Sequence, residues 1–111
     1  MPTSEQLYDD AILLQEAGKL EEAVGQLEEL VRQDPDYALA HAGLSAFYSK
    51  LGRHDEAVEQ ARLVCQLEPG DPFSYMAMSL ICQRAGRRAD AEQAMAEAME
   101  KQWATKYGPE T

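Results

Sequence analysis

The sequence predicts an all-α protein assembled from helical hairpins in series, and three observations carry that prediction. The stretch "GKLEEAVGQ" at Gly18 returns as "GRHDEAVEQ" at Gly52 and, less closely, as "GRRADAEQA" at Gly86, so Gly18, Gly52 and Gly86 recur every 34 residues, as do Ala23, Ala57 and Ala91. Within each period the apolar residues follow helical rather than strand spacing. Each of the three glycines falls between two such stripes, where a residue able to take positive φ ends one helix before the next begins.

The first helix is announced by Thr3 with Gln6 three residues on, the form of a capping box, and carries Leu7, Leu14 and Ala17 before Gly18. Ala23, Leu27 and Leu30 mark its partner, which must stop before Pro35. In the second period Ala40, Leu44, Phe47, Tyr48 and Leu51 form one amphipathic stripe. Gly52 intervenes, and Ala57, Ala61 and Val64 form another stripe that ends before Pro69. Asp71 before Pro72 offers an N-cap followed by proline at the first helical position. Tyr75, Met78 and Cys82 then lead to Gly86, with Ala91, Met95 and Ala98 beyond it. Trp103 stands where the earlier periods have proline, so the last helix is free to continue, and Gly108-Pro109 is the better stop signal. The repeats therefore fall at residues 4–36, 37–70 and 71–104, with a tail at 105–111 and one domain overall. A single hairpin of this length cannot bury its apolar faces alone, so neighbouring hairpins must stack, about three being the usual minimum.

Composition excludes several function classes. With 20 acidic against 10 basic residues the net charge is −10, which repels a phosphate backbone and argues against nucleic acid as a ligand. The charge is uneven: residues 1–37 hold ten acids and two bases, whereas residues 72–111 hold five of each. No apolar run approaches the length of a membrane span, and "MPTSEQLYDD" has neither the basic nor the apolar region of a targeting peptide, so a cytoplasmic location is expected. Cys65 and Cys82 match no zinc spacing and no disulfide framework, and read as small buried hydrophobes. His41 and His54 imply no nucleophile or base partner, and no phosphate loop, dinucleotide loop or HExxH segment occurs. No catalytic residue, metal site or cofactor is expected.

The same residues resemble the signature of the tetratricopeptide repeat. The second repeat carries it best, with His41 at the position of the signature Trp, Leu44-Ser45 at Leu-Gly, then Tyr48, Gly52, Ala57, Ala61, Val64 and Pro69. The first offers Leu7, Asp10-Ala11, Leu14, Gly18, Ala23, Leu27, Leu30 and Pro35, and the third Tyr75, Met78-Ser79, Cys82, Gly86, Ala91, Met95, Ala98 and Trp103. The resemblance implies a right-handed α-solenoid that serves as a protein–protein interaction scaffold.

Each first helix is also apolar on a second side. Tyr8 and Ile12, then Leu39, Ala42 and Ala46, then Phe73, Met76 and Leu80 lie off the main packing stripe, and the resemblance places them on a concave surface that holds a partner's peptide or helix. The alternative is that they pack between adjacent repeats. The family's carboxylate clamp would require Lys, Asn or Arg at Tyr8, Ile12, Gly43, Phe73 and Ala77, so no clamp is expected. An apolar floor with an adaptable Met76 suits an amphipathic or apolar segment, and the acidic first repeat favours a basic one. The other expectation is a homodimer through Ala94, Met99 and Trp103, because no polar capping helix follows the third repeat.

Overall fold

Each signal for a helix end is met by a specific backbone arrangement. The computed structural model describes residues 1–108, which form α1 (Ser4–Glu16), α2 (Leu20–Gln33), α3 (Ala38–Lys50), α4 (His54–Leu67), α5 (Pro72–Arg84) and α6 (Arg88–Tyr107), with no strand among them. Thr3 and Gln6 close the capping box at α1 through reciprocal bonds of 3.1 and 2.8 Å. Asp71 accepts from the Phe73 amide at 3.0 Å and Pro72 opens α5. At the hairpin turns Gly18, Gly52 and Gly86 adopt φ of 82°, 79° and 76°, and the amides of Lys19, Arg53 and Arg87 each reach back 2.8 Å to the carbonyls of Leu14, Tyr48 and Cys82. These are three copies of one C-terminal cap, and a Cβ at the glycine would strain every one of them.

Helix α6 is longer than α2 and α4. It continues past Trp103 to Tyr107 and ends where Gly108 takes positive φ, while Pro109 and the rest of the tail from 109 lie outside the described residues. Residues 105–107, placed in the tail by the repeat boundaries, are thus helical.

Three hairpins, α1–α2, α3–α4 and α5–α6, stack in series, with α3 seated on α2 and α5 on α4. One continuous core runs through them, from Leu7, Ala11, Leu27 and Leu30 through Leu44, Phe47 and Val58 to Met78, Ile81, Cys82 and Ala98. Burial of each large apolar side chain contributes about 1.5–3 kcal/mol.

Two buried serines are satisfied at the repeat period. Ser45 Oγ donates to the Ala57 carbonyl and Ser79 Oγ to the Ala91 carbonyl, both at 2.8 Å. His41 bridges the Pro35 carbonyl and Gln60 Oε1, each 2.6 Å from a ring nitrogen, and Tyr75, one period later, donates to the Pro69 carbonyl at 3.2 Å. The position where the signature carries Trp therefore ties the preceding loop to α3 and to α5, whereas Leu7 at the same position in α1 packs in the core. His41 is a structural bridge.

Candidate functional site

Side-chain size at one register position decides what lies between successive first helices. Tyr8, Ala42 and Met76 are one period apart, as are Ile12, Ala46 and Leu80. Between α1 and α3 the large pair fills the space: Tyr8 and Ile12 are half-buried against the core, and Tyr8 meets the Tyr37 ring at 6.2 Å between centroids. Gly43 makes that approach possible, since a Cβ there would stand 2.8 Å from Leu27 Cδ1 and 3.8 Å from Tyr8 Cε1. Between α3 and α5 the same positions hold Ala42 and Ala46, and the space stays open.

Two adjoining hollows result. The first, of about 250 Å³, lies among Leu39, Ala42, Val64, Phe73 and Ala77, with Glu68 and Asp71 at its edge. The second, of about 160 Å³, continues from Ala42 and Ala77 past Ala46, Ala61 and Leu80 to Arg84. They share Ala42, Val64, Ser74 and Ala77, so they form one groove across α3, α4 and α5. The walls are apolar, one end carries two carboxylates and the other a guanidinium. Phe73 stands at the mouth with 72% of its surface exposed. A broader depression of about 520 Å³ beside Gly86 is lined by Gln83, Arg88 and Glu92 and has no comparable apolar wall.

Of the groove residues expected from sequence, Leu39, Ala42, Ala46, Phe73 and Leu80 are brought together. Tyr8 and Ile12 line neither hollow, and neither does Met76, which is half-buried against the core. Tyr8 and Ile12 fill a seam between repeats, which was the alternative open for these positions. Val64, Ser74, Ala77 and Arg84 also line the groove. Ala77 is one of the clamp positions that the resemblance puts on this face, and Val64 belongs by its spacing to the packing stripe of α4.

On α6 the expected interface separates. Ala94 is only 2% exposed, because with Ala91 and Ala98 it forms the face packed on α5, and it is not available to a partner. Met99 and Trp103 are exposed at 63% and 67%.

Cys65 and Cys82 are free and buried, and the Cys65 thiol lies 3.8 Å from Met78 Sδ. Burial pushes the Cys65 thiol up to about 11 and raises that of Cys82, so neither is a thiolate near neutral pH. Burial and a 2.6 Å bond donated to Glu28 raise the Tyr48 phenol, whose ring also lies under Arg53 at 4.4 Å. Among the described residues no three His, Cys, Asp or Glu side chains are grouped to hold a metal ion, and no helix is long and apolar enough to cross a membrane.

Stacked two-helix hairpins with one conserved turn geometry and an apolar groove between first helices define a helical-repeat protein of the solenoid class. A tetratricopeptide repeat profile matches residues 8–72. The chain belongs to the tetratricopeptide repeat family.

Among curated proteins it is similar to the TPR repeat-containing thioredoxin TTL4 of Arabidopsis thaliana, at 47% identity over 47 residues, which are 42% of this chain and 7% of that protein. Among solved structures, a crystal structure of MamA superposes with a TM-score of 0.86 at 23% identity over 95% of this chain and 61% of its own. The type III secretion translocator chaperone SycD of Yersinia enterocolitica superposes with a TM-score of 0.80 at 25% identity, covering 89% of this chain and 75% of its own. A CopN–Scc3 complex gives 0.82 at 15% identity, over 88% of this chain and 58% of the other. The chain thus spans less than two thirds of MamA and a small fraction of the plant protein.

Proposed function

We propose that this chain is a protein–protein interaction module whose α3–α5 groove takes an apolar or amphipathic segment of a partner protein, with a basic residue at the end facing Glu68 and Asp71. The observation that carries this reading is the pair Ala42 and Ala46, which leaves open a groove that Tyr8 and Ile12 close one repeat earlier. An apolar floor rewards a side chain that displaces water, and the charged ends orient the segment: cation toward Glu68 and Asp71, anion toward Arg84. Each opposite orientation places like charges together. No basic or amide side chain stands at the clamp positions, so recognition of a terminal carboxylate plays no part in this reading. SycD, similar in fold, is described as a translocator chaperone, and Scc3 is seen in a complex with CopN; both descriptions accord with a protein partner.

Affinity for one segment in so short a groove is about micromolar, near −8 kcal/mol. The test compares wild type with Phe73→Glu and Ala46→Ile by pull-down, followed by calorimetry with the captured partner. Ala46→Ile copies the filled seam of the first repeat, so it should keep the fold and lose the partner. Capture that is indifferent to both variants, with circular dichroism unchanged, removes the groove from the function.

A further inference from the structure

The repeat period states what covers each position, and it reveals a second surface beyond the groove. Leu27, Ala61 and Met95 are one period apart on the second helices, as are Val31, Cys65 and Met99. In the first two repeats these positions seat the next hairpin: Leu27 lies under Gly43 of α3, and Cys65 lies against Met78 of α5. Leu27 and Ala61 are accordingly buried. Among the described residues nothing seats on their counterparts, and Met95 and Met99 are 39% and 63% exposed. Trp103 and Tyr107 extend the same i, i+4 ridge along the prolonged α6, their rings 4.3 Å apart. Four of the five methionines fall in this repeat, and three of them, Met76, Met95 and Met99, stand at seating positions. Methionine is the side chain that adapts to an incoming apolar surface.

We infer that Met76, Met95 and Met99, lengthened by Trp103, seat one amphipathic helix of a partner protein, and that α3 and α5 show what this helix looks like. On α3, Gly43 meets Leu27 of the preceding repeat and lies among the buried Ala40, Leu44 and Phe47, and one period later on α5 Met78 meets Cys65 while Ser74, Ala77 and Ile81 share a hollow with Ala61. The shared pattern is small, small three residues on, then large apolar residues at the fourth and seventh. Where the second-helix residue is large the residue opposite is small, as Leu27 meets Gly43, whereas small Ala61 opposite small Ala77 leaves a hollow. Met95 is large, so the partner must be small opposite it. A second copy stacked head to tail does not fit, because α1 carries Gln6, Asp9 and Asp10 where α3 carries Ala40, Gly43 and Leu44, and two carboxylates would be buried without partners.

The test uses Trp103, the only tryptophan, as its own reporter. The probe is a synthetic helical peptide without tryptophan, bearing Ala at i and i+3, Leu at i+4 and Phe at i+7 on a Lys/Glu background. A control peptide has Asp at i+3 and i+4, as in α1. The first peptide should shift Trp103 emission to shorter wavelength with a saturable isotherm, and the control should not. Met99→Glu should weaken binding by about tenfold or more, since it places an unpaired charge in the seat, while the groove variant Phe73→Glu should bind as wild type does. Circular dichroism confirms the fold of each variant. No saturable shift, equal binding of both peptides, or indifference to Met99→Glu overturns the inference. Sedimentation showing a wild-type dimer that Met99→Glu dissociates also overturns it, because a second copy would then be the occupant.

Discussion

Gly43→Ala isolates the contact that sets the spacing between the first two repeats. In the middle of α3, exchanging glycine for alanine raises helix propensity by about 1 kcal/mol. Against this, the new methyl group would stand 2.8 Å from Leu27 Cδ1, well inside the roughly 3.5–4.0 Å of a favourable carbon contact. Leu27 is fully buried and cannot swing aside, so the overlap costs about 1–3 kcal/mol of overpacking. The expected net effect is destabilisation by about 1 kcal/mol, or roughly 4 °C in Tm for a chain of this size. Leu27→Val removes the offending atom at a cost of about 1 kcal/mol, and in that background Gly43→Ala should stabilise by about 1 kcal/mol, a coupling near 2 kcal/mol. Gly25→Ala supplies the control: it lies in α2 with nothing within 4 Å of its added methyl, and should stabilise by about 1 kcal/mol in either background. Urea unfolding of the single and double variants at constant m-value reads the cycle. If Gly43→Ala stabilises the wild type as Gly25→Ala does, the seam is not close-packed and the argument for how repeats are spaced fails.

Three further outcomes follow from the same geometry. Ser45→Ala and Ser79→Ala each remove a 2.8 Å bond to a buried carbonyl and should each cost about 1–2 kcal/mol in urea unfolding, additively, because the two bonds share no partner. Asp71→Ala removes the cap of α5 and should cost about 1 kcal/mol, which Asp71→Asn or Asp71→Ser would largely restore. The Cys65 thiol, ordinarily near 9.0, is pushed up to about 11 in the fold, so the unfolded chain releases its proton first as pH rises. Stability should hold below pH 9.0 and fall between 9.0 and about 11, with Cys82 and Tyr48 acting in the same direction, and Cys65→Ala should flatten part of that fall in urea midpoints.

The period made the architecture legible because it repeats both the glycine that turns the chain and the stripe that packs. Thr3, Asp71 and Gly108 announced helix ends because capping chemistry is local. What stayed hidden depends on the side chain across a seam. Tyr8 and Ala42 occupy the same register position, and both read as groove residues, yet Tyr8 is bulky enough to fill its own seam whereas Ala42 leaves a hollow. Ala94 read as exposed because α6 carries alanine on several sides, and only packing on α5 shows which alanines are inside. Val64 carried one signal, its place in the α4 stripe, but that stripe is wide enough to reach the groove floor as well as the core.

One register position thus produces three different surfaces in a single chain. Tyr8 closes the first seam, Ala42 opens a groove at the second, and Met76 borders a seat that no described element covers. The backbone supplies the same frame each time, with turns alike to within a few degrees in φ, so the difference lies in the side chains alone. A repeat scaffold can therefore gain or lose an open surface by changing one residue per repeat, because a substitution at this register position leaves the caps and the buried serine bonds untouched. The exposed side chains are separable from the stack for that reason: Leu27, Leu30, Leu44 and Val58 hold it and are fully buried, whereas Phe73, Met99 and Trp103 are exposed and contribute little to its stability.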